Sequence, residues 1–508
     1  MFASFLLPNL WLAAPEIFLT VLALAVLFFG IHSEKTPVSP ARRALLFALA
    51  QCALIGCAFW ILLESDGQRA LTFSNMFLHD LLADFLKLLI CATMSVIFVY
   101  SRRHLAERDI PPGEFLFLAL LSTLGMLVIV SANHFLPLYL GLEMLSLSSC
   151  ALIALDRRRA EATEAAMKYF ALGALASGFL LYGLSLLYGV SGTLEISGVA
   201  MEISAKAYTE GLDRLPLVFG LVFVVAGLAF KLGAAPFHMW LPDVYHGAPT
   251  PATLILAAAP KIAAFSMTLR LLLGGFFPLA ADWQQMLMVL AVISMGIGNF
   301  VAIAQENVKR MLAYSAIAHM GFMLLGLCVG IPENETLGAR QIAVSAYSAS
   351  MFYVLTYVLS TVGAFGVMLL LSRKGFEADR LSDYAGLNQR SPWLAALMMI
   401  FMLSMAGLPF FVGFFAKFAV LGTVVYAGHY GLAGAAVAFS LLGAFYYLRV
   451  IKYMYFDAAP EGASPAGLGA TPWGMKTLLT LNALAVALLG IFPHALLAVC
   501  LTVLDVSF

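Results

Sequence analysis

The chain has 508 residues, 62% of them hydrophobic and 11% charged, where a soluble domain carries about 25% charged residues. Its 28 basic and 28 acidic residues cannot give a 54.7 kDa globule a charged skin, so lipid must cover the rest and a soluble fold is excluded. The formal net charge of zero leaves no basic face for nucleic acid.

No Lys or Arg precedes the first apolar stretch. It therefore lacks the charged start of a signal peptide and is expected to persist as a helix. Fourteen apolar stretches follow one another, each long enough to cross a hydrocarbon core of about 30 Å. They lie near 15–31, 43–63, 81–100, 115–131, 133–155, 166–189, 215–239, 252–274, 286–303, 311–330, 347–372, 393–427, 431–451 and 474–500. The runs are continuous rather than alternating, which predicts helices and not barrel strands. The expected fold is an all-α membrane protein of about 14 transmembrane helices. Loops after odd-numbered spans hold 17 Lys and Arg residues, from Lys35 to Lys476, against 5 in loops after even-numbered spans (Arg69, Lys206, Arg214, Arg270 and Arg340). The positive-inside rule then puts the odd loops in the cytoplasm and both termini outside. Six cysteines (Cys52, Cys57, Cys91, Cys150, Cys328, Cys500) are scattered with no Cys-x-x-Cys pair and no histidines at metal spacing, as expected of helix packing.

Charges inside the spans need a reason, because each costs roughly 2.5 to 3.5 kcal/mol at a helix centre. On span 3, Asp84 and Lys87 are three residues apart and are expected to neutralise each other. Glu143 lies in the middle of span 5, about 18 to 20 Å from the cytoplasmic end, too deep to snorkel. Lys168 opens span 6; it can meet Glu143 if that helix starts early, near Ala160, or else reach back to the headgroups. Lys231 sits in LAFKLGAAPFHMWLPD, where Gly233 and Pro236 break span 7 and free carbonyls that protein or water must satisfy. His238 follows seven residues later, on the same face if the helix were unbroken. Lys261, after Pro260 in span 8, is a candidate switchable amine, since a buried lysine's proton affinity is set by the opposing effects of burial and nearby carboxylates. His319 is mid-span in span 10 and a candidate intermediate station. Lys417 comes just after Gly407, Pro409 and Gly413, which must bend the long span 12. Arg449 is expected to snorkel at the end of span 13.

The breaks at GAAPF (233–237) and GLPF (407–410) are five spans apart, and an odd offset inverts topology. This predicts two inverted five-helix repeats with discontinuous helices 7 and 12, the pattern of transporters whose ion sites lie at such helices. Helices 4–8 (residues 111–278) and 9–13 (279–455) would be the units, between an N-terminal three-helix segment (1–110) and a C-terminal helix (456–508).

The motifs APFHMWLPDVYHGAPTPATLILAAAPKIAAF and QENVKRMLAYSAIAHMGFMLLGL resemble the antiporter-like membrane subunits of respiratory complex I, and the resemblance spans nearly the whole chain. DVYHGAPTP, and a lysine rather than a glutamate in GFFAKF, are similar to the branch without the additional long C-terminal helix of a larger sister subunit. The resemblance implies proton-channel roles for Glu143, Lys168, Lys231, Lys261 and Lys417; His238 and His319 stay relay candidates from their positions alone. It implies no redox centre on this chain: NADH, FMN, iron-sulfur clusters and quinone belong to partner subunits, and redox energy would drive charge rearrangement along the membrane arm. Partners would be other membrane-arm subunits, including antiporter-like neighbours, in a bacterial plasma membrane rather than a mitochondrial one. Two other readings stay open: a subunit of a multi-subunit sodium/proton antiporter, and a structural subunit whose buried charges only fix helix register.

Overall fold

Apolar segments in hydrocarbon must satisfy their own backbone, and the helix does so within one segment. The computed structural model describes residues 8–30, 39–209, 214–329, 337–459 and 473–508, so that Lys35, Glu210 and Asp213 lie outside the described residues. The helices run α1 (Ala14–Gly30), α2 (Pro40–Glu64), α3 (Leu81–Glu107), α4 (Pro112–Val130), α5 (Phe135–Ile153), α6 (Ala160–Ser191) and α7 (Ile196–Thr209). They continue as α8 (Arg214–Leu232), α9 (Trp240–Gly247), α10 (Thr250–Ala257), α11 (Ala259–Leu269), α12 (Ala280–Ile303), α13 (Val308–Leu327) and α14 (Leu337–Leu371). The last are α15 (Leu387–Arg390), α16 (Pro392–Ala406), α17 (Val412–Tyr426), α18 (Tyr430–Tyr455), α19 (Trp473–Ile491) and α20 (Pro493–Ser507). Among the described residues, thirteen helical stretches are long and apolar enough to cross a membrane. The shorter apolar pair α16 and α17, end to end, supplies the twelfth crossing, which gives the fourteen expected.

Both expected breaks are present, α8 to α9 and α16 to α17. Two more occur. Span 8 is interrupted at Ala258 (φ −114°, ψ −92°), one residue before α11 and two before Pro260, and ends in a π-helical turn at Arg270–Gly275. Span 14 turns at Phe492, where Pro493 opens α20; proline has no amide hydrogen and cannot continue the helix before it. A short hairpin, β1 (Ala70–Thr72) and β2 (Phe77–His79), links α2 to α3.

Helix starts follow their side chains. Asp80 accepts from the Ala83 amide, His134 from Leu136 and Asn307 from Arg310, each taking one of the orphan donors of a first turn. Close pairs rest on small residues: a Cβ on Gly125 would sit 2.6 Å from the Gly141 carbonyl between α4 and α5, and one on Gly183 2.6 Å from the Gly220 carbonyl between α6 and α8. Such spacing maximises van der Waals contact where lipid offers no hydrophobic drive between helices. The centre of the bundle is span 8, with 94% of its most apolar window buried, and α18 at 28% is peripheral.

On α3 the structure corrects the local pairing. Lys87 does not neutralise Asp84; its amine lies 2.6 Å from Glu16 on α1, and Asp84 instead meets His79 at 3.3 Å. The neighbouring helix and hairpin offer these partners at full burial, so the pairing follows packing rather than the three-residue spacing.

Candidate functional site: buried lysines at two helix breaks

A break in a membrane helix exposes carbonyls that the next turn would have bonded. At the first break, Gly233 takes φ +77°, and the freed carbonyls find new donors. The Trp240 indole donates to Phe230 O at 3.1 Å, and the Lys261 amine to Leu232 O at 2.7 Å. Lys261 is 1% exposed and also lies 5.7 Å from the Trp240 ring centroid, within cation–π range. At the second break Gly407 takes φ +80°. The buried Lys417 amine donates to Ala406 O at 2.9 Å and to Ser440 Oγ on α18 at 3.0 Å, 5.1 Å from the Phe322 ring. Each break therefore presents the carbonyl just before a left-handed glycine to a buried lysine. A half-helix C-terminus carries partial negative charge, which favours the ammonium of a lysine at each break.

Lys231, in the last turn of α8, donates to Ser146 Oγ on α5 at 2.8 Å, and Ser146 in turn to Leu142 O at 2.7 Å. Glu143, one turn before Ser146, is the carboxylate within electrostatic range of Lys231; its Oε1 is buried without a protein partner among the described residues. A cavity of about 30 Å³ lies between Lys231 and Lys261, lined also by Ser146, Tyr169 and Trp240, enough for a water molecule. His319 is held on both ring nitrogens, Nδ1 by the Tyr353 hydroxyl at 2.7 Å and Nε2 by that of Tyr447 at 2.9 Å. A second small cavity, of about 10 Å³, runs from His319 past Tyr353, Ser360 and Ser404 to Gly413 at the second break.

Two expected placements differ, those of Lys168 and Arg449. Helix α6 does start at Ala160, yet Lys168 does not meet Glu143: its amine bonds Asp243 Oδ2 at 2.8 Å and Glu164 Oε1 at 2.7 Å, and Asp243 Oδ1 takes Arg310 at 2.9 Å. Asp243 sits on α9, beyond the break, and the break aims it at both cations. The shared helical face of Lys231 and His238 is lost for the same reason; His238 lies in the turn between α8 and α9, buried, with Nδ1 unpartnered among the described residues. Arg449 does not snorkel but donates to the carbonyls of Ile303 and Gln305 at the end of α12.

Other groups escaped sequence reasoning. Lys309, counted with the loops, is fully buried and donates to Ala248 O at the end of α9. Arg270, also counted with the loops, forms a bidentate pair with Asp80 at 2.6 and 2.7 Å. Burial alone would push the Asp80 carboxyl up, but the charge and hydrogen bonds of Arg270, with the Ala83 amide, hold it below its usual value. A polar residue at each end of two facing spans was the available signal. Among the described residues no group of three or more His, Cys, Asp or Glu side chains is placed to hold a metal ion.

A family model described as NADH:quinone oxidoreductase/Mrp antiporter, TM matches residues 132–443. The chain is 51% identical over 504 residues to NADH-quinone oxidoreductase subunit N of Azoarcus sp., covering 99% of each. It is 52% identical to the subunit N of Thiobacillus denitrificans, covering 98% of each. Among solved structures, a chain of respiratory complex I from Thermus thermophilus with bound aureothin superposes with a TM-score of 0.77 at 29% identity, over 95% of this chain and 98% of that one. A chain of the Mrp complex from Dietzia sp. shares the fold, with a TM-score of 0.75 at 19% identity over 97% and 96%. With the broken helices and their lysines in place, these likenesses over its full length show that the chain belongs to the NADH-quinone oxidoreductase subunit N family.

Proposed function

We propose that this chain is a proton-translocating membrane-arm subunit of an NADH-quinone oxidoreductase. It sits in a bacterial plasma membrane with its basic loops cytoplasmic and both termini periplasmic. NADH oxidation and quinone reduction, with the FMN and iron-sulfur clusters they use, occur on other subunits, and antiporter-like subunits are its neighbours. The observation that carries the reading is the pair of breaks, each with a buried lysine on the last carbonyl of a half-helix.

Glu143, Lys168, Lys231, His238, Lys261, His319 and Lys417 form the relay, in two units over 111–278 and 279–455. With Lys168 held by Asp243 and Glu164, the charge of Glu143 is left to stabilise the ammonium of Lys231. Swinging Lys168 from Asp243 to Glu143 cancels that charge. The Lys231 proton then crosses the cavity it shares with Lys261, and His319 passes charge on to Lys417 for release, while His238 lines the first break. Coupling to the redox subunits is electrostatic, through the position of Lys168.

Native electrophoresis of solubilised membranes carrying a tagged chain, stained in the gel for NADH oxidation, tests the assignment. The tag is expected in a very large NADH-oxidising band. Migration in a smaller assembly without that activity overturns the reading in favour of a separate cation/proton antiporter.

A further inference from the structure

Beyond the two lysine sites, one buried polar chain is left unused by the relay. Tyr447 on α18, which bonds Nε2 of His319, also makes a short hydrogen bond with Ser315 on α13. The adjacent Tyr446, its ring 4.3 Å from that of Tyr447, donates to Asn299 Oδ1 on α12 at 3.2 Å. These four residues are at most 2% exposed, so their polar atoms have one another and enclosed water to bond with. The chain points one way. Ser315 lies seven residues and His319 eleven from the start of α13, about 10 and 16 Å along the axis. Asn299 is one turn from the end of α12, at the same basic face. One further turn along α18 from Tyr446 stands Arg449, whose Nε is buried without a protein partner among the described residues; a water is the natural acceptor there. On the other side of His319, Tyr353 opens onto the small cavity that leads to Ser404 and the second break.

We propose that Asn299, Tyr446, Ser315 and Tyr447 form a second proton-uptake branch, running from the basic face to His319 and serving Lys417 independently of Lys231 and Lys261. The branch rests on the proton-relay reading above and adds its own residues to it. In one passage a proton from enclosed water at the basic face reaches the Tyr446 oxygen; Tyr446, oriented by Asn299 Oδ1, turns its own hydroxyl proton to Ser315, Ser315 passes its proton to the Tyr447 oxygen, and Tyr447 gives its own to Nε2. His319 gives its Nδ1 proton to the Tyr353 oxygen, and Tyr353 releases its hydroxyl proton into the cavity. One proton has moved, and His319 has gone from the Nδ1–H to the Nε2–H tautomer. The arrangement explains why both imidazole nitrogens carry hydroxyl partners where one would suffice to hold the ring.

The test uses the whole assembled complex in inverted membrane vesicles, with protons translocated per NADH oxidised as the readout. Tyr447→Phe keeps the ring and its packing. It is expected to leave assembly and uncoupled NADH oxidation unchanged, to lower the ratio part of the way toward that of Lys417→Ala, and to add nothing to the loss in the double variant with Lys417→Ala. Asn299→Leu, which leaves the His319 bonds in place, is expected to do the same. A Tyr447→Phe complex that pumps like wild type overturns the branch, as does a normal ratio in Asn299→Leu. If Lys417→Ala itself pumps normally, the relay reading fails and the branch falls with it. If Lys417→Ala loses pumping and both branch variants do not, the relay stands and the branch alone is wrong.

Discussion

Gly407→Ala separates the geometry of the second break from the mere presence of its lysine. The residue takes φ +80°, where an L side chain costs roughly 1–2 kcal/mol. The added Cβ would also meet Lys417, 2.8 Å from Cδ and 3.0 Å from Nζ, so the amine must leave Ala406 O, where it now bonds at 2.9 Å. A hydrogen bond to a charged group is worth about 1.5–3 kcal/mol. The backbone cost falls on seated and unseated amine alike, so the lost bond, about 1.5–3 kcal/mol, sets the shift, and each 1.4 kcal/mol is a factor of ten. The population in which Lys417 seats on the half-helix should fall about 10- to 100-fold. Gly428→Ala is the control: it has φ +82° and nothing within 4 Å of the new Cβ, so it carries the backbone cost alone. Both variants are compared in inverted vesicles by quenching of a ΔpH dye at matched NADH oxidation rates. Loss of pumping in Gly407→Ala with retention in Gly428→Ala is expected. Equal pumping in the two would refute the claim that the amine must sit on that carbonyl.

Other expectations follow from the ion pairs. Asp243→Asn removes the carboxylate shared by Lys168 and Arg310; proton pumping should fall with assembly intact, and Asp243→Glu should restore part of it, as vesicle assays can show. Asp80→Asn leaves Arg270 buried without its charge partner, a loss of about 3–5 kcal/mol, visible as a lower thermal midpoint or lower yield of the purified complex. The pH dependence has a definite sign. Because Arg270 holds the Asp80 carboxyl below its ordinary value of 3.8, the stabilisation is complete at neutral pH and is lost only as pH falls through the depressed value. The wild type and Asp80→Asn should therefore keep a constant gap in stability from neutrality down to about pH 4 and converge only in stronger acid.

The sequence showed the crossings and the two principal breaks because both are local properties. An uninterrupted apolar run has to be a helix in lipid, and Gly-Pro pairs at 233–236 and 407–409 interrupt it. Lys231, Lys261 and Lys417 were legible for the same reason, since their depth follows from counting residues. Their partners were not. That Lys168 meets Asp243 rather than Glu143 depends on how α9 leaves the break, and no spacing within α6 encodes it. Glu16 with Lys87, and Asp80 with Arg270, join residues far apart in the chain through helix packing. The interruption of span 8 was also hidden, because Ala258 looks like any other member of an alanine run and Pro260 was compatible with one continuous helix.

The central claim is that protons pass by way of the buried lysines at the breaks. Proton translocation per NADH in membranes carrying Lys231→Ala, with the large NADH-oxidising complex shown to be assembled, tests it most directly. The account predicts a full-size, NADH-oxidising complex whose pumping is lowered. Normal proton flux in that complex would contradict it.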